Sequence, residues 1–480
     1  MKNSREQWGS RLGFILAASG SAVGLGNIWK YPHMAGQNGG AAFTVVYLLC
    51  ILIVGLPILL GELAIGRKTQ LSPVGAFNKL SNLSNWKWVG FLGVASAFVI
   101  LSFYGVVGGW TLKYTLFALS GGFDSLSGSP DVSGQIFSEF IGSSLQPIFW
   151  QLIFMSFCMG IIIKGVKSGI EGGAKIMMPL ILIILGLLVF KGLSLEGGKK
   201  GLEFLFKPKF SDLNPSSIVM ALGHAFFTLS LGMGTMITYG SYLDEKQNLF
   251  TSAIWIILLD TFIAMLAGTA IFTIVFAMGA DPSAGAGLIF VVLPTIFPQI
   301  GGGAIWGTLF FFILFMAALT SAISILEVIT AYFIDEKGWS RNKATLLFGG
   351  IISLVGVFCS LSLGEFNITA PLNIPFFDFL DELASKYMLP IGGTLTALFI
   401  LKKWSIKKFL KELLIGVKEQ KFDKIFYQNV IKFLLIVSAL IVILIIMNEA
   451  FNLLFPEYLQ NAKNGWLLIF SVVVYFAFFI

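Results

Sequence analysis

Charge is what this chain lacks. Of its 480 residues only 12% are Asp, Glu, Lys or Arg, half the share of about 25% typical of soluble domains. With 56% apolar residues and a mean hydropathy of +0.86, it cannot clothe a water-soluble globule. It is also too apolar to be disordered and, by the same composition, is not expected to bind nucleic acid in the ordinary way. Cysteine is limited to Cys50, Cys158 and Cys359. All three sit in apolar runs and read as small buried hydrophobes rather than a disulfide, redox or metal set. The two histidines, His33 and His224, are far apart. His-Glu-x-x-His, Gly-x-Ser-x-Gly, a cysteine pair and a phosphate-binding loop are all missing, which removes the usual routes to an intramembrane enzyme.

What is present is apolar sequence in long runs. A membrane-crossing helix needs about 20 mostly apolar residues. Stretches free of charge cover 12–29, 31–61, 88–112, 140–163, 213–243, 282–326 and 344–364, with shorter clean cores at 176–190, 387–401, 433–448 and 464–480. One more, 247–280, is interrupted only by Asp260. Allowing for flanks, the sequence predicts an all-α integral membrane protein with twelve spans: 11–36, 41–68, 87–119, 145–164, 169–192, 215–241, 248–279, 303–334, 341–362, 374–401, 428–450 and 464–480. Residues 282–303 are too rich in Pro and Gly to be all helix and read as a loop with a short helix.

Lys and Arg in the loops set the orientation. The N-terminal Lys2, Arg5 and Arg11 are basic, as are the loops holding Arg67, Lys68, Lys79 and Lys87, then Lys164 and Lys167, then Lys337, Arg341 and Lys343. Both ends are therefore expected in the cytoplasm, in a cell membrane crossed many times. Loop 120–145 has acids and no base, as an outside loop should. Loop 191–212 departs from the rule with five Lys against three acids. Segment 402–432 carries nine Lys and three acids, +6 of the chain's net +7. No cleavable signal peptide is expected, because the first apolar run continues far past the length of one. The last run reaches the final residue with no basic flank, which reads as a chain stopped short of its natural end.

Two spans carry the same irregularity. Span 1 reads Gly20-Ser21-Ala22-Val23-Gly24-Leu25-Gly26-Asn27, and span 6 reads Thr228-Leu229-Ser230-Leu231-Gly232-Met233-Gly234-Thr235. Each Gly costs a helix about 1 kcal/mol relative to Ala, so a Gly-x-Gly beside hydroxyls invites unwinding. Unwound backbone cannot face lipid; it must line a cavity and offer its amides and carbonyls to something polar. Close helix packing through small residues is the ordinary reading of any single Gly pair. The matching position of the two breaks, five helices apart, favours a repeat of spans 1–5 (11–192) and 6–10 (215–401). Residues 1–10 would be a cytoplasmic segment, 280–302 an extracellular loop, 402–427 a basic cytoplasmic loop and 428–480 the last two spans.

At these residues the chain resembles the neurotransmitter:sodium symporter family, over essentially its whole length. The motifs Arg5-Glu6-Gln7-Trp8, Gly24-Leu25-Gly26-Asn27-Ile28-Trp29-Lys30-Tyr31-Pro32 and Phe226-Phe227-Thr228-Leu229-Ser230-Leu231-Gly232 carry the resemblance. Gly39-Gly40-Ala41-Ala42-Phe43, Gly287-Leu288-Ile289-Phe290 with Leu293-Pro294, and Leu319-Thr320-Ser321 support it. It is closest to the bacterial branch, which includes a leucine transporter and a multi-substrate hydrophobic amino-acid transporter. The resemblance implies import of an amino acid, driven by sodium, through alternating access, on a fold with spans 1–5 and 6–10 as inverted repeats. A proton-coupled carrier on the same fold and, more remotely, a channel are the alternatives.

The resemblance also implies site residues. A first sodium would take the Ala22 carbonyl, Asn27, Thr228, Asp260 and the substrate carboxylate. A second would take carbonyls of Gly20, Val23 and Ala317 with the hydroxyls of Thr320 and Ser321. By themselves those two hydroxyls would read as bonding back to their own helix. The substrate carboxylate would meet the Leu25 and Gly26 amides and the Tyr104 hydroxyl. Its ammonium would meet carbonyls of Ala22, Phe227 and Thr228 and the Ser230 hydroxyl. Its side chain would meet Val23 or Leu25, Ile100, Phe227, Met233, Ser321 and Ile325, a lining without charge. Ile100 and Tyr104, like Ser321 and Ile325, are four apart and share a helix face. Ser21 stands where the leucine transporter has Asn, and Met233 replaces a Phe. Methionine adapts to varied shapes, so a broad pocket for Leu, Met, Phe, Tyr or Trp is expected.

Asp260 is noticeable without any resemblance, since an unpaired charge at mid-bilayer costs about 3 kcal/mol on insertion scales. A nearby cation removes that cost; a proton-titrating carboxylate is the other reading. The family's animal members have Asn there and use chloride, and Ala264 replaces the serine that helps bind it. Asp260 would thus make chloride unnecessary. Implied gates are Lys30 with Asp381 outside, and Arg5 with Asp335 and Tyr242 with Glu327 inside, with Trp8 plugging the inner vestibule. Lys lacks the bidentate fork of Arg, so the outer gate would be looser than an Arg–Asp one. Glu327 departs from the family's frequent Gln. For Arg5 and Asp335, ordinary interfacial charge is the plain alternative. His224 replaces a usual Gln and reads first as a hydrogen-bonded core histidine, second as a group tuning the outer gate at acid pH. Gly169 and Pro179 match a Gly-x9-Pro motif thought to let span 5 unwind at its cytoplasmic half.

Overall fold

The computed structural model describes residues 5–283, 287–364, 366, 368–369, 373–417 and 424–454. They are almost wholly helical. Among the described residues, nine helices are long and apolar enough to cross a membrane: Ala41–Thr69, Lys87–Leu119, Gln146–Ile163, Val166–Ser194, Leu249–Ala277, Gly303–Lys337, Arg341–Ser362, Phe376–Trp404 and Tyr427–Leu444. A tenth span is bent by 49° between Arg11–Ala22 and Gly26–Gln37. An eleventh is made of two short pieces, Pro215–Thr228 and Thr235–Gly240. The expected span over 464–480 lies outside the described residues.

Span 6, expected over 215–241 with a break at its Gly-x-Gly, is two helices as predicted. Residues 229–234 leave the helical path because Ser230, Gly232 and Gly234 adopt φ of 53°, 79° and 77°, a region in which a helix cannot continue. At Gly232 a β-carbon would lie 2.1 Å from the Leu389 carbonyl oxygen, so close approach to span 10 also demands glycine. Span 1 breaks over Val23–Leu25, at the place the sequence predicts.

Span 8 (Gly303–Lys337) is the axis of the molecule: 83% of its most apolar window is buried, against 33% for spans 4 and 5 and 22% for span 11. Span 3 packs most closely against it, and spans 5, 9, 4, 1 and 6 also touch it. The outer spans turn large apolar side chains outward at helical spacing, such as Trp255, Leu258 and Phe262 in span 7 and Ile176, Ile183, Leu187 and Phe190 in span 5. In a membrane protein that stripe meets lipid rather than water. Helix starts are capped by side chains, with Ser10 accepting from the Gly13 amide, Asn248 from Thr251 and Ser340 from Lys343.

Loop 282–303 does hold a helical piece, Leu288–Gln299. Four further short helices, Pro73–Leu80, Pro130–Gly142, Gly198–Phe206 and Ile406–Leu413, lie in segments read from sequence as plain loops. Span 5 begins with a wider, π-type turn over Val166–Glu171 and carries Pro179 inside its helix. A β-carbon at Gly169 would sit 2.0 Å from the Ile161 carbonyl oxygen, so close packing on span 4 is one reason for that glycine.

Candidate functional site

The two breaks meet, with Ser230 Oγ donating to the Ser21 carbonyl at 3.0 Å. Between them lies a contracted cavity of about 10 Å³, room for one water-sized body. It is lined by Ser21, Ala22, Gly24, Gly26, Ile100, Tyr104, Phe227, Ser230, Met233, Ser321 and Ile325. Ten of these were expected to contact a substrate. Gly24 was not, yet a β-carbon there would lie 2.3 Å from Ser321 Oγ and 2.7 Å from Tyr104 Oη. Ser324 was also missed; it accepts a 2.7 Å hydrogen bond from Ser21, which in turn lies 3.1 Å from Ser230 Oγ.

Three expected contacts, Val23, Leu25 and Thr228, do not line this cavity. The Val23 side chain is fully buried in the core. The Leu25 amide is nevertheless in place, donating to Tyr104 Oη at 3.1 Å. Its side chain lines a second small cavity above, with Trp29, Lys30, Phe103, Tyr104, Val107, Phe227, Phe377 and Asp381. Thr228 instead joins a cluster of oxygens on the other side of span 1.

In that cluster Thr228 Oγ1 lies 2.9 Å from Asp260 Oδ1 and 3.1 Å from Asn27 Oδ1. Asn27 Nδ2 donates to Asp260 Oδ1 at 2.8 Å and to its carbonyl at 3.0 Å. Tyr47 Oη donates to the other carboxylate oxygen at 3.5 Å. Asp260 is fully buried, so every polar partner counts against the cost of its charge. A second group of oxygens gathers at the other end of the break. Thr320 Oγ1 lies 3.3 Å from the Val23 carbonyl and 2.9 Å from that of Ala317. Ser321 Oγ lies 3.5 Å from the Gly20 carbonyl and 2.9 Å from that of Ser21. Hard oxygens without soft or aromatic nitrogen donors suit an alkali or alkaline-earth cation.

Above the cavity stands the ion pair expected as the outer gate. Lys30 Nζ reaches Asp381 Oδ1 at 2.7 Å and Oδ2 at 3.1 Å and lies 4.3 Å from the centre of the Phe227 ring. Below it lies a larger set of contacts among the residues expected as the inner gate. Arg5 Nη1 holds Asp335 at 2.5 Å, and Arg5 Nη2 donates to Ser241 Oγ at 2.6 Å. Burial works against the Arg5 charge, but Tyr242 and Asp335 outweigh it and raise the guanidinium above its ordinary range. The Ser72 amide donates to Asp335 at 2.5 Å. Tyr242 donates to Glu327 at 2.6 Å. Trp8 is buried, donates from Nε1 to the Tyr239 carbonyl at 3.0 Å and meets the Tyr239 ring edge-on.

Glu327, the departure noted in the sequence, has a counter-ion that was not foreseen. Arg341 donates to its Oε2 at 2.7 Å and also reaches Glu6 at 3.1 Å. Glu62 is likewise unforeseen: fully buried, it accepts the Gly232 amide at 2.7 Å and so holds the unwound part of span 6 to span 2. His224 is corrected. It is buried among Tyr31 and Tyr47, and neither ring nitrogen has a hydrogen-bond partner among the described residues. It is therefore not the hydrogen-bonded core histidine expected.

Comparison with known proteins agrees with this geometry. The model of the sodium:neurotransmitter symporter family matches residues 5–124 and 138–480. A Bacillus subtilis protein named as an uncharacterized sodium-dependent transporter is 40% identical over 439 residues, 91% of this chain and 97% of that one. A Haemophilus influenzae protein of the same description is 34% identical over 455 residues, 92% and 98% of the two chains. Among solved structures, MhsT in complex with L-phenylalanine is 45% identical, with a TM-score of 0.84, covering 92% of this chain and all of that one.

Proposed function

Because the chain belongs to the sodium:neurotransmitter symporter family, and is thus a sodium-dependent membrane transporter and not an enzyme, we propose that it imports a hydrophobic or aromatic amino acid with sodium by alternating access, without chloride. The observation that carries this reading is the arrangement at the two breaks, where an uncharged cavity lies between two groups of oxygens. MhsT, whose structure holds L-phenylalanine, supports the substrate class.

Two sodium ions are the co-transported cargo. One sits among Asn27 Oδ1, Thr228 Oγ1, the Asp260 carboxylate and the Ala22 carbonyl, and is completed by the substrate carboxylate. That shared ligand makes substrate binding depend on sodium, a coupling that is reciprocal. The second sits among the carbonyls of Gly20, Val23 and Ala317 and the hydroxyls of Thr320 and Ser321, and ties span 1 to span 8. The substrate carboxylate displaces Tyr104 Oη from the Leu25 amide and takes both as donors, together with the Gly26 amide. The ammonium meets the carbonyls of Ala22, Phe227 and Thr228 and the Ser230 hydroxyl. Ile100, Phe227, Met233, Ser321 and Ile325 take the side chain, and flexible Met233 lets its size vary. Asp260 supplies the negative charge next to the first sodium, so no external anion is needed. The orientation is that of a cell membrane protein with a cytoplasmic N-terminus.

The test is uptake by proteoliposomes. Uptake of labelled phenylalanine is expected to need an inward sodium gradient, to vanish with choline and to persist with gluconate in place of chloride. Among twenty amino acids, Leu, Met, Phe, Tyr and Trp are expected to compete. A preference for glycine or a charged amino acid, or uptake driven by protons with sodium absent, overturns the reading.

A further inference from the structure

The helix Ile406–Leu413 follows the cytoplasmic end of span 10 after a sharp turn at Ser405, whose φ is 80°. Its sides are sharply divided. Ile406, Phe409, Leu410, Glu412 and Leu413 are buried, whereas Lys407, Lys408 and Lys411 are exposed. At about 100° per residue the three lysines fall within an arc of about 100°. Lys403 just before them is exposed too, and Lys68 at the end of span 2 stands half-exposed, 3.6 Å from Glu412.

Fixing the orientation of this face is a buried ion pair. Arg67, fully buried in span 2, donates from Nε to Glu412 Oε1 at 2.8 Å, from Nη2 to the Glu412 carbonyl and from Nη1 to the Gln247 carbonyl at 2.5 Å. The one acid of the helix is thereby turned inward and used, leaving the outer arc purely cationic. A topology signal needs only the charge of the loop. It does not need a folded helix, a sequestered acid or a fixed arc.

We propose that this lysine face is a docking surface for anionic phospholipid headgroups of the inner leaflet. Charge complementarity argues for that occupant: the helix is joined directly to the end of a membrane span, and each lysine near an anionic membrane surface is worth roughly a fivefold preference. The anchor also leads inward. Gly66, beside Arg67, packs against the Ile237 carbonyl and the Ser241 amide of span 6, where a β-carbon would meet them at 2.0 and 2.8 Å, and Ser241 receives Arg5 of the inner closure. Lipid on the lysine face thus steadies the elements that form the cytoplasmic gate.

The experiment is native mass spectrometry of the full chain in detergent with equimolar phosphatidylglycerol and phosphatidylcholine, a readout independent of transport. The wild type is expected to retain phosphatidylglycerol preferentially, K403Q/K407Q/K408Q/K411Q to lose that preference about tenfold or more, and the matching Lys→Arg variant to keep it. K199Q/K200Q, exposed lysines of another loop, should behave as wild type, and glycerol phosphate should not displace the bound lipid. Equal retention by the glutamine variant, or the same loss in K199Q/K200Q, overturns the proposal, as does displacement by glycerol phosphate, which assigns the face to free phosphates. The arginine variant guards against misfolding: loss in both variants marks charge as irrelevant and also overturns it.

Discussion

The two closures of the central cavity differ in kind. Outside, one ion pair, Lys30–Asp381, lies over the Phe227 ring with its side chains 15% and 30% exposed. Inside, Arg5, Asp335, Ser241, Tyr242, Glu327, Arg341 and Trp8 form a connected set, and Glu327 is fully buried. The two ion pairs are both part-buried, with Arg5 and Asp335 14% and 10% exposed; what differs is that the inner pair belongs to a set of linked contacts that includes the fully buried Glu327, where removing one partner costs about 3–5 kcal/mol. On the proposed alternating-access reading, the outer path is held by one contact, and the inner path by several that must yield together. That asymmetry suits the import proposed above, in which the carrier loads from outside and must not leak.

The comparison predicts an order of effects. Largest is Asp335→Ala, which strips Arg5 and the Ser72 amide of their shared acceptor. The protein should stay folded, shift to its inward-open form by about 100-fold (about 3 kcal/mol) and lose concentrative uptake; labelling of a cysteine placed behind Trp8 reads the shift. Full uptake by that variant removes the inner-gate assignment. Next is Arg341→Gln, which leaves Glu327 buried with only the Tyr242 hydroxyl. A shift of about tenfold is expected, and Glu327→Gln in the same chain should recover most of it, because the two changes are coupled through one contact. Third, Lys30→Gln should change uptake only a few-fold, with a wild-type salt dependence that flattens in the variant. If Lys30→Gln instead costs as much as Asp335→Ala, the contrast between the closures is wrong. Smallest is Glu6→Gln: its side chain is 47% exposed, so less than about 1 kcal/mol, read as a barely altered labelling rate, is expected.

Much of this was legible in the sequence because charge is so scarce that each exception stands out. Asp260 falls where membrane sequence rarely tolerates a charge, and Lys30, Asp381, Asp335 and Glu327 stood out at the positions that the family resemblance implies for gates. The breaks were legible because glycine and hydroxyl residues recur at matching places in spans 1 and 6. The residues missed are defined by partners remote in sequence. Arg341 read as a topology charge until the fold set it against Glu327, and Arg67 did so until it met Glu412. Glu62 merely ended an apolar run; its task, holding the Gly232 amide, depends on span 6 unwinding. Gly24 and Ser324 are small residues among many, and only the approach of spans 1 and 8 distinguishes them. The short helices outside the membrane escaped because a search for long apolar runs passes over them.

The central claim is that Asp260 and the paired breaks make amino-acid binding depend on sodium without chloride. Its most direct test is equilibrium binding of labelled phenylalanine to the purified protein, titrated with sodium in chloride-free gluconate buffer. The account predicts steep sodium dependence for the wild type and, for Asp260→Asn, a sodium requirement raised by tenfold or more, about 1.4 kcal/mol, that chloride partly relieves. Phenylalanine binding indifferent to sodium, or an Asp260→Asn titration matching the wild type, would contradict it.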